Sequence, residues 1–259
     1  MVMHKSPAAA RSVNVSFLGT GDAFASDGRF QSGYLVEAHK YRILMEAGPT
    51  ILCALKRTKV APNELDLILI SHLHGDHYAG LPFLLLEYIF ESQLRKPIIV
   101  AGPARLEERT WLLFDTMFPR TRGDIERLRD KLHFVVLEPG VKQRVGKLQV
   151  ETIRTPHMRY EASLALKFAI DGKTIAFSGD SGWTDDLIKF TAGADLFMCE
   201  CTYFESAHLD FHMNYPNLEK RRSNFDVGRM ILTHVGREVL AKRRKLKLET
   251  AHDGLKIQV

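Results

Sequence analysis

His72-Leu73-His74-Gly75-Asp76-His77 places four metal-binding side chains within six residues, directly after the apolar run Leu65–Ile70. Alternate residues of an extended chain point to the same side, so His72 and His74 are expected to face one ion. Gly75 then permits a sharp turn that directs Asp76 and His77 toward a second ion. Imidazole and carboxylate together suit zinc and its divalent neighbours, whereas a structural zinc site would more usually contain thiolates. This stretch therefore predicts a catalytic metal site at the end of a β-strand.

Three further potential ligands each follow a short apolar run that is typical of a strand. Because α/β folds place their chemistry at strand ends, we expect these side chains to meet the first stretch in space. A carboxylate among them suits a bridging position, since its oxygens can reach two cations. The three residues are His157, Asp180 and His234.

The ordered set of seven residues resembles the ligand set of the metallo-β-lactamase fold. The resemblance runs from Leu18-Gly19-Thr20-Gly21-Asp22 to Asp253-Gly254-Leu255. It implies an α/β protein, a four-layer αββα sandwich with mixed sheets and two divalent ions, Zn²⁺ first and Mn²⁺ or Fe²⁺ as alternatives. It also implies a division of the ligands: His72, His74 and His157 for the first ion, Asp76, His77 and His234 for the second, and Asp180 as the bridge.

Alternating strand-like and helix-like runs predict an α/β class, and hairpin-like neighbours predict mixed sheets. Asp171-Gly172 between two apolar runs predicts a hairpin turn. The stretch Pro119–Asp124 is the most loop-like and separates two similar halves, and we predict one domain over residues 1–259. Helices are predicted at Thr50–Arg57, Gly80–Leu94, Ala104–Phe118, Asp185–Lys189 and Asn217–Phe225. Strands are predicted at Val13–Leu18, Tyr34–Ala38, Tyr41–Met45, Leu65–Ile70, Ile98–Val100, His133–Leu137, Leu148–Ile153, Ser163–Ile170, Thr174–Phe177, Asp195–Met198 and Arg229–Leu232.

The composition is that of an ordinary globular protein: 259 residues, 45% hydrophobic and 26% charged. No apolar run approaches the roughly 18 residues of a membrane span, and residues 1–12 lack the apolar stretch of a signal peptide. The three cysteines, an odd number, fit reduced thiols, so we expect a cytoplasmic protein without membrane attachment. The net charge of +5 lies largely in Lys220-Arg221-Arg222 and Lys242-Arg243-Arg244-Lys245, which are either solvated helix faces or a rim that attracts anionic substrates.

Three motifs favour phosphodiester substrates within this superfamily. The opening Leu18–Asp22 resembles the start of ribonuclease Z, and Glu200-Cys201-Thr202 resembles the Glu-Ala-Thr part of its His-Glu-Ala-Thr motif. Ile231–His234 has the form of the last ligand in that branch and in phosphonate-pathway cyclic phosphodiesterases. Two features depart from ribonuclease Z: Cys199 stands in place of the motif histidine, and the interval from His157 to Asp180 is too short for a tRNA-gripping arm.

The resulting expectation is a dinuclear zinc phosphodiesterase in which a hydroxide held between the ions attacks a small or cyclic phosphodiester. Two alternatives keep the same fold: a carboxyl-ester, thioester or lactone hydrolase, and a tRNA 3′-processing endonuclease. A third is a metal-bound module that binds RNA without turnover, although nucleic acid is not the favoured partner. A homodimer is compatible with the sequence but not required by it.

Several residues are expected to assist the chemistry beyond holding metal. Asp76 is expected to orient the attacking oxygen, and Glu200 belongs to the motif that resembles ribonuclease Z. His212, in Phe211–Tyr215, is expected to contact the phosphate or to protonate the leaving oxygen, with His208 as a competitor for this role. Asp22 is either an outer partner of the imidazoles or a turn residue.

Overall fold

Two β-sheets form the centre of this computed structural model, which describes residues 12–119, 121–205 and 211–259. The N-terminal residues 1–11, considered above for a signal peptide, and His208 lie outside the described residues. The strands in chain order are β1 (Val13–Gly19), β2 (Gly33–Ala38), β3 (Tyr41–Met45), β4 (Leu67–Leu69), β5 (Ile98–Gly102), β6 (Leu132–Val136), β7 (Lys142–Val145), β8 (Leu148–Arg154), β9 (Leu164–Ile170), β10 (Lys173–Phe177), β11 (Ala194–Glu200), β12 (Val227–Thr233) and β13 (Lys256–Gln258).

Both sheets are mixed, as predicted. The first has the order β13-β1-β2-β3-β4-β5-β6 and the second the order β12-β11-β10-β9-β8-β7. Strands β3 to β6 pair in parallel, and so do β10 to β12, whereas the remaining pairs are antiparallel. Each half of the chain therefore builds one sheet with a hairpin section and a parallel section, and β13 returns to the first sheet.

Helices cover the outer face of each sheet. They are α1 (Ile51–Arg57), α2 (Gly75–Tyr78), α3 (Leu81–Phe90), α4 (Leu106–Met117), α5 (Arg122–Arg129), α6 (Asp186–Thr191), α7 (Tyr215–Arg221) and α8 (Arg237–Ala241). Within the described ranges, none of them combines the length and the apolar character that crossing a bilayer requires.

The hydrophobic core shows why these elements form layers. Alternate residues of a strand point to opposite faces of its sheet. In β3, Ile43 and Met45 lie in the cluster shared by the two sheets, whereas Leu44 packs in the cluster beneath α1, α3 and α4. A third cluster lies between the second sheet and α6, α7 and α8. The predicted four-layer αββα sandwich is confirmed.

All eleven predicted strands are present, with ends that shift by a few residues. The predictions missed β7 and β13, which are short and rich in polar residues, and the short helices α2 and α8. The stretch predicted as a loop at Pro119–Asp124 contains the start of α5 at Arg122. Helix α7 begins at Tyr215 rather than Asn217, because the side chain of Asn214 accepts a hydrogen bond from the Asn217 backbone N–H. The predicted hairpin turn is present, with Asp171 and Gly172 both at positive φ between β9 and β10.

Gly179 allows the end of β10 to approach the first half of the chain. Its φ is +58°, and an added Cβ would lie 2.5 Å from the Leu164 carbonyl oxygen and 3.1 Å from Ser71 Cβ. The Leu164 N–H also donates to the Ser71 carbonyl, at 3.0 Å. The residues just before His72 and just before Asp180 are therefore packed against each other through a glycine.

We predict that Gly179→Ala destabilises the fold more than Gly172→Ala. Both glycines have positive φ, which costs another residue about 1–2 kcal/mol, but an added Cβ at Gly172 meets no atom within 4 Å. Overpacking at Gly179 should add about 1–3 kcal/mol. Denaturant unfolding of the two variants measures the difference. Equal losses of unfolding free energy would contradict the close approach described here.

Candidate metal centre

The structure brings the seven predicted ligands together at one edge of the sandwich. Their loops follow β4, β8, β10 and β12, so each ligand lies just beyond a strand end. They form two groups, in each of which one potential ligand atom per residue lies within 4.8 Å of the others. The first group is His72, His74 and His157, and the second is Asp76, His77, Asp180 and His234. This grouping is the one that the resemblance implied, and the roles of the residues as ligands remain a prediction.

Asp180 lies between the two groups. Its Oδ2 atom is 3.3 Å from His77 Nε2 and 3.4 Å from His234 Nε2, on the side of the second group. The same oxygen is 3.7 Å from His157 Nε2 and 3.8 Å from His72 Nε2, on the side of the first group. One carboxylate oxygen thus faces four imidazole nitrogens, which is the position that a bridging ligand would occupy.

The arrangement of the donor atoms suits divalent cations, because these atoms do not satisfy one another by hydrogen bonds. Within the described residues, the buried atoms His72 Nε2, His77 Nε2 and Asp180 Oδ1 have no hydrogen-bond partner. Buried polar atoms without partners are rare, and each calls for an explanation. His74 Nδ1 and His157 Nε2 approach to 2.9 Å, although both atoms are lone-pair donors in neutral, metal-binding imidazoles. A cation in each group would satisfy these atoms.

The charges of the site also fit cations. His234 and His77 overcome the effect of burial and hold the pKa of Asp180 well below its usual value, so this carboxylate is ionised. Burial disfavours charge on His77, yet Asp180 and Asp76 raise its pKa well above the usual value. Burial, with His77 beside it, keeps the pKa of His72 well below normal, which leaves the neutral imidazole that metal binding needs. The carboxylates of Asp180 and Asp76 therefore favour the binding of positive charge at this position.

Glu46 is an outer partner of the ligands that the sequence analysis missed. It is fully buried, and its Oε2 atom lies 2.6 Å from His77 Nδ1. It also accepts hydrogen bonds from the Ser71 backbone N–H at 2.7 Å and from the Ser71 hydroxyl at 3.1 Å, and this hydroxyl lies 3.0 Å from His72 Nδ1. One carboxylate thereby orients one imidazole of each group. The available signal was an acidic residue directly after the strand Tyr41–Met45.

Two other imidazoles are held by their Nδ1 atoms in a similar way. His157 Nδ1 donates to the Phe211 carbonyl at 2.7 Å. His234 Nδ1 lies 2.9 Å from the Thr202 hydroxyl, which in turn donates to Glu200 Oε2 at 3.0 Å. Donation from Nδ1 fixes the tautomer in which Nε2 carries the free lone pair.

Asp22 takes the turn role rather than the role of imidazole partner. Its carboxylate accepts hydrogen bonds from the backbone N–H of Ser26 at 3.0 Å and from the Ser26 hydroxyl at 2.9 Å. Both bonds lie within the loop that follows β1, because Ser26 is only four residues after Asp22 in the chain.

His212 and Glu200 form a hydrogen-bonded pair beside the predicted ligands. His212 Nδ1 lies 2.8 Å from Glu200 Oε1 and 3.9 Å from Asp180 Oδ2. Burial disfavours charge on His212, but the Glu200 carboxylate outweighs it and raises the pKa of His212 to about 9. Glu200 is itself held by the Ser181 N–H at 2.9 Å. The competing candidate, His208, lies outside the described residues.

Cys199 packs away from this pair. Its thiol lies in the cluster between the second sheet and its helices, 3.8 Å from Met213 Sδ. Burial raises the pKa of the Cys199 thiol well above its usual value, which does not suit a proton relay. The residue that replaces the motif histidine is therefore a core residue, and its neighbour Cys201 is buried in the same cluster.

A cleft of about 740 Å³ opens beside the first group of ligands. Three imidazoles and three arginines line it, together with aromatic side chains and one carboxylate. The lining residues are Leu73, His74, Arg105, Arg109, His157, Met158, Arg159, Tyr160, Glu161, Tyr203, Phe211 and His212. A substrate in this cleft would contact His74 and His157 of the first group and the arginines that line its wall.

Comparison with known proteins assigns the chain to a family. A sequence profile of the anti-Pycsar protein Apyc1 matches residues 13–251. The chain belongs to the anti-Pycsar Apyc1 family. The Apyc1 protein of Saccharibacillus brassicae is 30% identical over 182 residues, which cover 68% of this chain and 70% of that protein. The ribonuclease Z of Clostridium novyi (strain NT) is 24% identical over 277 residues, or 86% of this chain and 89% of the relative.

The fold of this Apyc1-family chain is also seen in solved structures. The metallo-β-lactamase fold protein YhfI from Bacillus subtilis superposes with a TM-score of 0.76 at 21% identity, over 96% of this chain and all (100%) of that one. The expected resemblance to metallo-β-lactamase fold proteins and to ribonuclease Z is confirmed, and the chain is a metallo-hydrolase. The motifs quoted from the sequence did not indicate the Apyc1 family itself.

We predict that Glu46→Gln weakens metal binding by about 10- to 100-fold, the usual effect of losing an outer partner of the ligands. Glutamine replaces an acceptor with an N–H₂ group that opposes the N–H of His77. Calorimetric titration of the metal-free protein with Zn²⁺ measures the change. Glu37→Gln is the matched control, because Glu37 lies on the neighbouring strand and pairs with Arg42. Unchanged affinity in Glu46→Gln would contradict the orienting role of Glu46.

Proposed function

We propose that this protein is a dinuclear zinc phosphodiesterase that hydrolyses a small or cyclic phosphodiester. The observation that carries this proposal is the position of Asp180 Oδ2, within 3.3–3.8 Å of imidazole nitrogens from both ligand groups. Two imidazole-rich groups that share one carboxylate suit a pair of cations, and Zn²⁺ suits imidazole and carboxylate donors.

The residues that would hold the cations follow the two groups. His72, His74 and His157 would bind one, Asp76, His77 and His234 would bind the other, and Asp180 would bind both. Cations held there supply Lewis acidity, which makes water a competent nucleophile near neutral pH and offsets charge on phosphoryl oxygens. Asp76 Oδ2 lies 3.1 Å from His234 Nε2 and 3.2 Å from His77 Nε2, and in this proposal Asp76 would also orient the attacking water.

His212 is the proposed general acid. Its Nδ1 atom is engaged by Glu200, which leaves Nε2 as the nitrogen available to a substrate oxygen. With a pKa of about 9, the imidazole carries a proton near neutral pH. It can therefore give that proton to the leaving oxygen, while Glu200 holds the ring and stabilises its charge.

The charge of the cleft favours phosphodiesters over neutral carboxyl esters. Arg105, Arg109 and Arg159 line the cleft together with His212, and the carboxylates that pair with them are Glu161, Glu108 and Glu200. A cationic cleft concentrates anionic substrates. The interval from His157 to Asp180 contains only the loop before β9, the β9–β10 hairpin and the turn after it, which supports a small substrate rather than a tRNA.

We predict that the purified protein hydrolyses phosphodiesters only when metal is present. Chelation should remove the activity, and added Zn²⁺ or Mn²⁺ should restore it. A panel of cyclic and linear phosphodiesters, carboxyl esters, a thioester, a lactone and a precursor tRNA identifies the substrate class. Asp180→Ala should reduce activity to the buffer rate even at saturating metal. Turnover of the carboxyl esters without turnover of any phosphodiester would contradict the proposal.

We predict that the effect of His212→Ala depends on the leaving group. An alkoxide needs a proton as it leaves, so this variant should lose about 10²–10⁴-fold in kcat on an alkyl phosphodiester. The 4-nitrophenolate ion leaves without protonation, so the loss on bis(4-nitrophenyl) phosphate should be much smaller. Equal losses on both substrates would show that His212 binds the phosphate and does not act as an acid.

A further inference from the structure

His234 has a backbone conformation that a residue with a Cβ rarely adopts. Its φ is +50°, in the left-handed region, directly after the end of β12. This conformation costs free energy in residues other than glycine, so it persists only where neighbouring contacts hold it. In this conformation His234 Nε2 lies 3.1 Å from Asp76 Oδ2 and 3.4 Å from Asp180 Oδ2. The strained backbone therefore directs the imidazole toward the centre of the predicted metal site.

Tyr34 contacts the residue before His234 from the opposite sheet. It lies in β2 and is fully buried, and its hydroxyl lies 2.9 Å from Thr233 Oγ1, on the last residue of β12. The centroid of its ring lies 5.7 Å from that of Phe17 and 5.2 Å from that of Phe177. Burial raises the pKa of Tyr34 above its usual value, so the hydroxyl is neutral. This hydrogen bond joins the first sheet to the residue that precedes a predicted ligand.

A second contact with the first half of the chain holds the residue after His234. The Val235 N–H donates to the Thr20 carbonyl at 3.0 Å. Thr20 is itself held by the Asp253 carboxylate, which accepts hydrogen bonds from the Thr20 N–H at 2.9 Å and from its hydroxyl at 2.7 Å. His234 is thus flanked by two hydrogen bonds to residues of β1 and β2 or the loop between them, one through the side chain of Thr233 and one through the backbone of Val235.

We propose that Tyr34 is a positioning residue, whose hydrogen bond to Thr233 keeps His234 in the left-handed conformation and its imidazole directed at the cation of the second group. This inference rests on the proposed function, because it takes His234 as a ligand. Removal of the Tyr34 hydroxyl deprives a buried oxygen, Thr233 Oγ1, of this partner, which is costly in the core. The chain around His234 then relaxes to a less strained conformation, and Nε2 moves away from the cation.

The first test is the affinity for Zn²⁺, measured by competition with a chelator on initially metal-free protein. Tyr34→Phe keeps the ring and removes the hydroxyl. It should raise the Kd of one of the two ions by about fivefold, the factor that corresponds to one hydrogen bond of ordinary strength, and leave the other unchanged. Thr233→Val removes the other hydroxyl of the pair and should have the same effect. The two changes combined should weaken binding no more than either does alone.

A double-mutant cycle shows whether the effect passes through His234. In a His234→Ala background the imidazole is absent, so Tyr34→Phe should not weaken Zn²⁺ binding further. Tyr88→Phe is the matched control. Tyr88 is also buried, and its hydroxyl donates at 3.2 Å to the carbonyl of Pro62, which precedes β4, whereas the predicted ligands follow that strand. This control should lower stability without changing Zn²⁺ affinity. Additive losses in the cycle, or an equal loss of affinity in Tyr88→Phe, overturn the proposal.

Crystal structures of the metal-free protein provide a readout that needs no bound metal. The φ of His234 should be positive in the wild type and in Tyr88→Phe, and should leave the left-handed region in Tyr34→Phe. An unchanged His234 backbone in Tyr34→Phe overturns the proposal, even if Zn²⁺ affinity falls. If the wild type does not bind two Zn²⁺ ions, the proposed function fails. The role of Tyr34 in holding His234 is then decided by the φ of His234 in these structures.

Discussion

The carboxylate of Asp180 is the constraint on which the rest of the site depends. It is almost fully buried, it is ionised, and four imidazole nitrogens surround one of its oxygens. A buried anion must be matched by positive charge, because desolvation is costly. Both sheets contribute to this arrangement. The loop after β4 provides four of the ligands and those after β8, β10 and β12 the others, and Gly179 allows the loops after β4 and β10 to touch.

A second layer of acceptors holds the Nδ1 atoms of four of the five predicted imidazole ligands, namely His72, His77, His157 and His234. Glu46 engages His77 directly and His72 through Ser71, while Glu200 reaches His234 through Thr202 and His212 directly. These two carboxylates come from different sheets: Glu46 lies just after β3 in the first sheet, and Glu200 lies at the end of β11 in the second. A buried carboxylate thus supports each side of the site, and the proposed general acid, His212, lies on the Glu200 side.

Local sequence was sufficient to predict most strands and which seven side chains the fold brings together, because spacing within His72–His77 and position after an apolar run are local properties. Glu46 could not be predicted in the same way. Its role depends on the parallel pairing of β3 with β4, which aligns Met45 with Leu69 and brings Glu46 beside Ser71. From sequence, Asp22 was either an outer partner of the imidazoles or a turn residue, and in the structure it bonds within its own loop. Strand β13 was missed for a similar reason, since three residues with one apolar side chain form a strand only by pairing with β1. The Apyc1 family itself was not predicted from the motifs.

Anomalous-scattering crystallography of the protein loaded with Zn²⁺ tests the central claim most directly. Data collected above and below the zinc edge should show two peaks, about 3.5–4 Å apart as in other two-metal sites. One peak should lie beside His72, His74 and His157, the other beside Asp76, His77 and His234, with the Asp180 carboxylate between them. A single peak at full zinc loading, or two peaks that Asp180 does not bridge, would contradict the account.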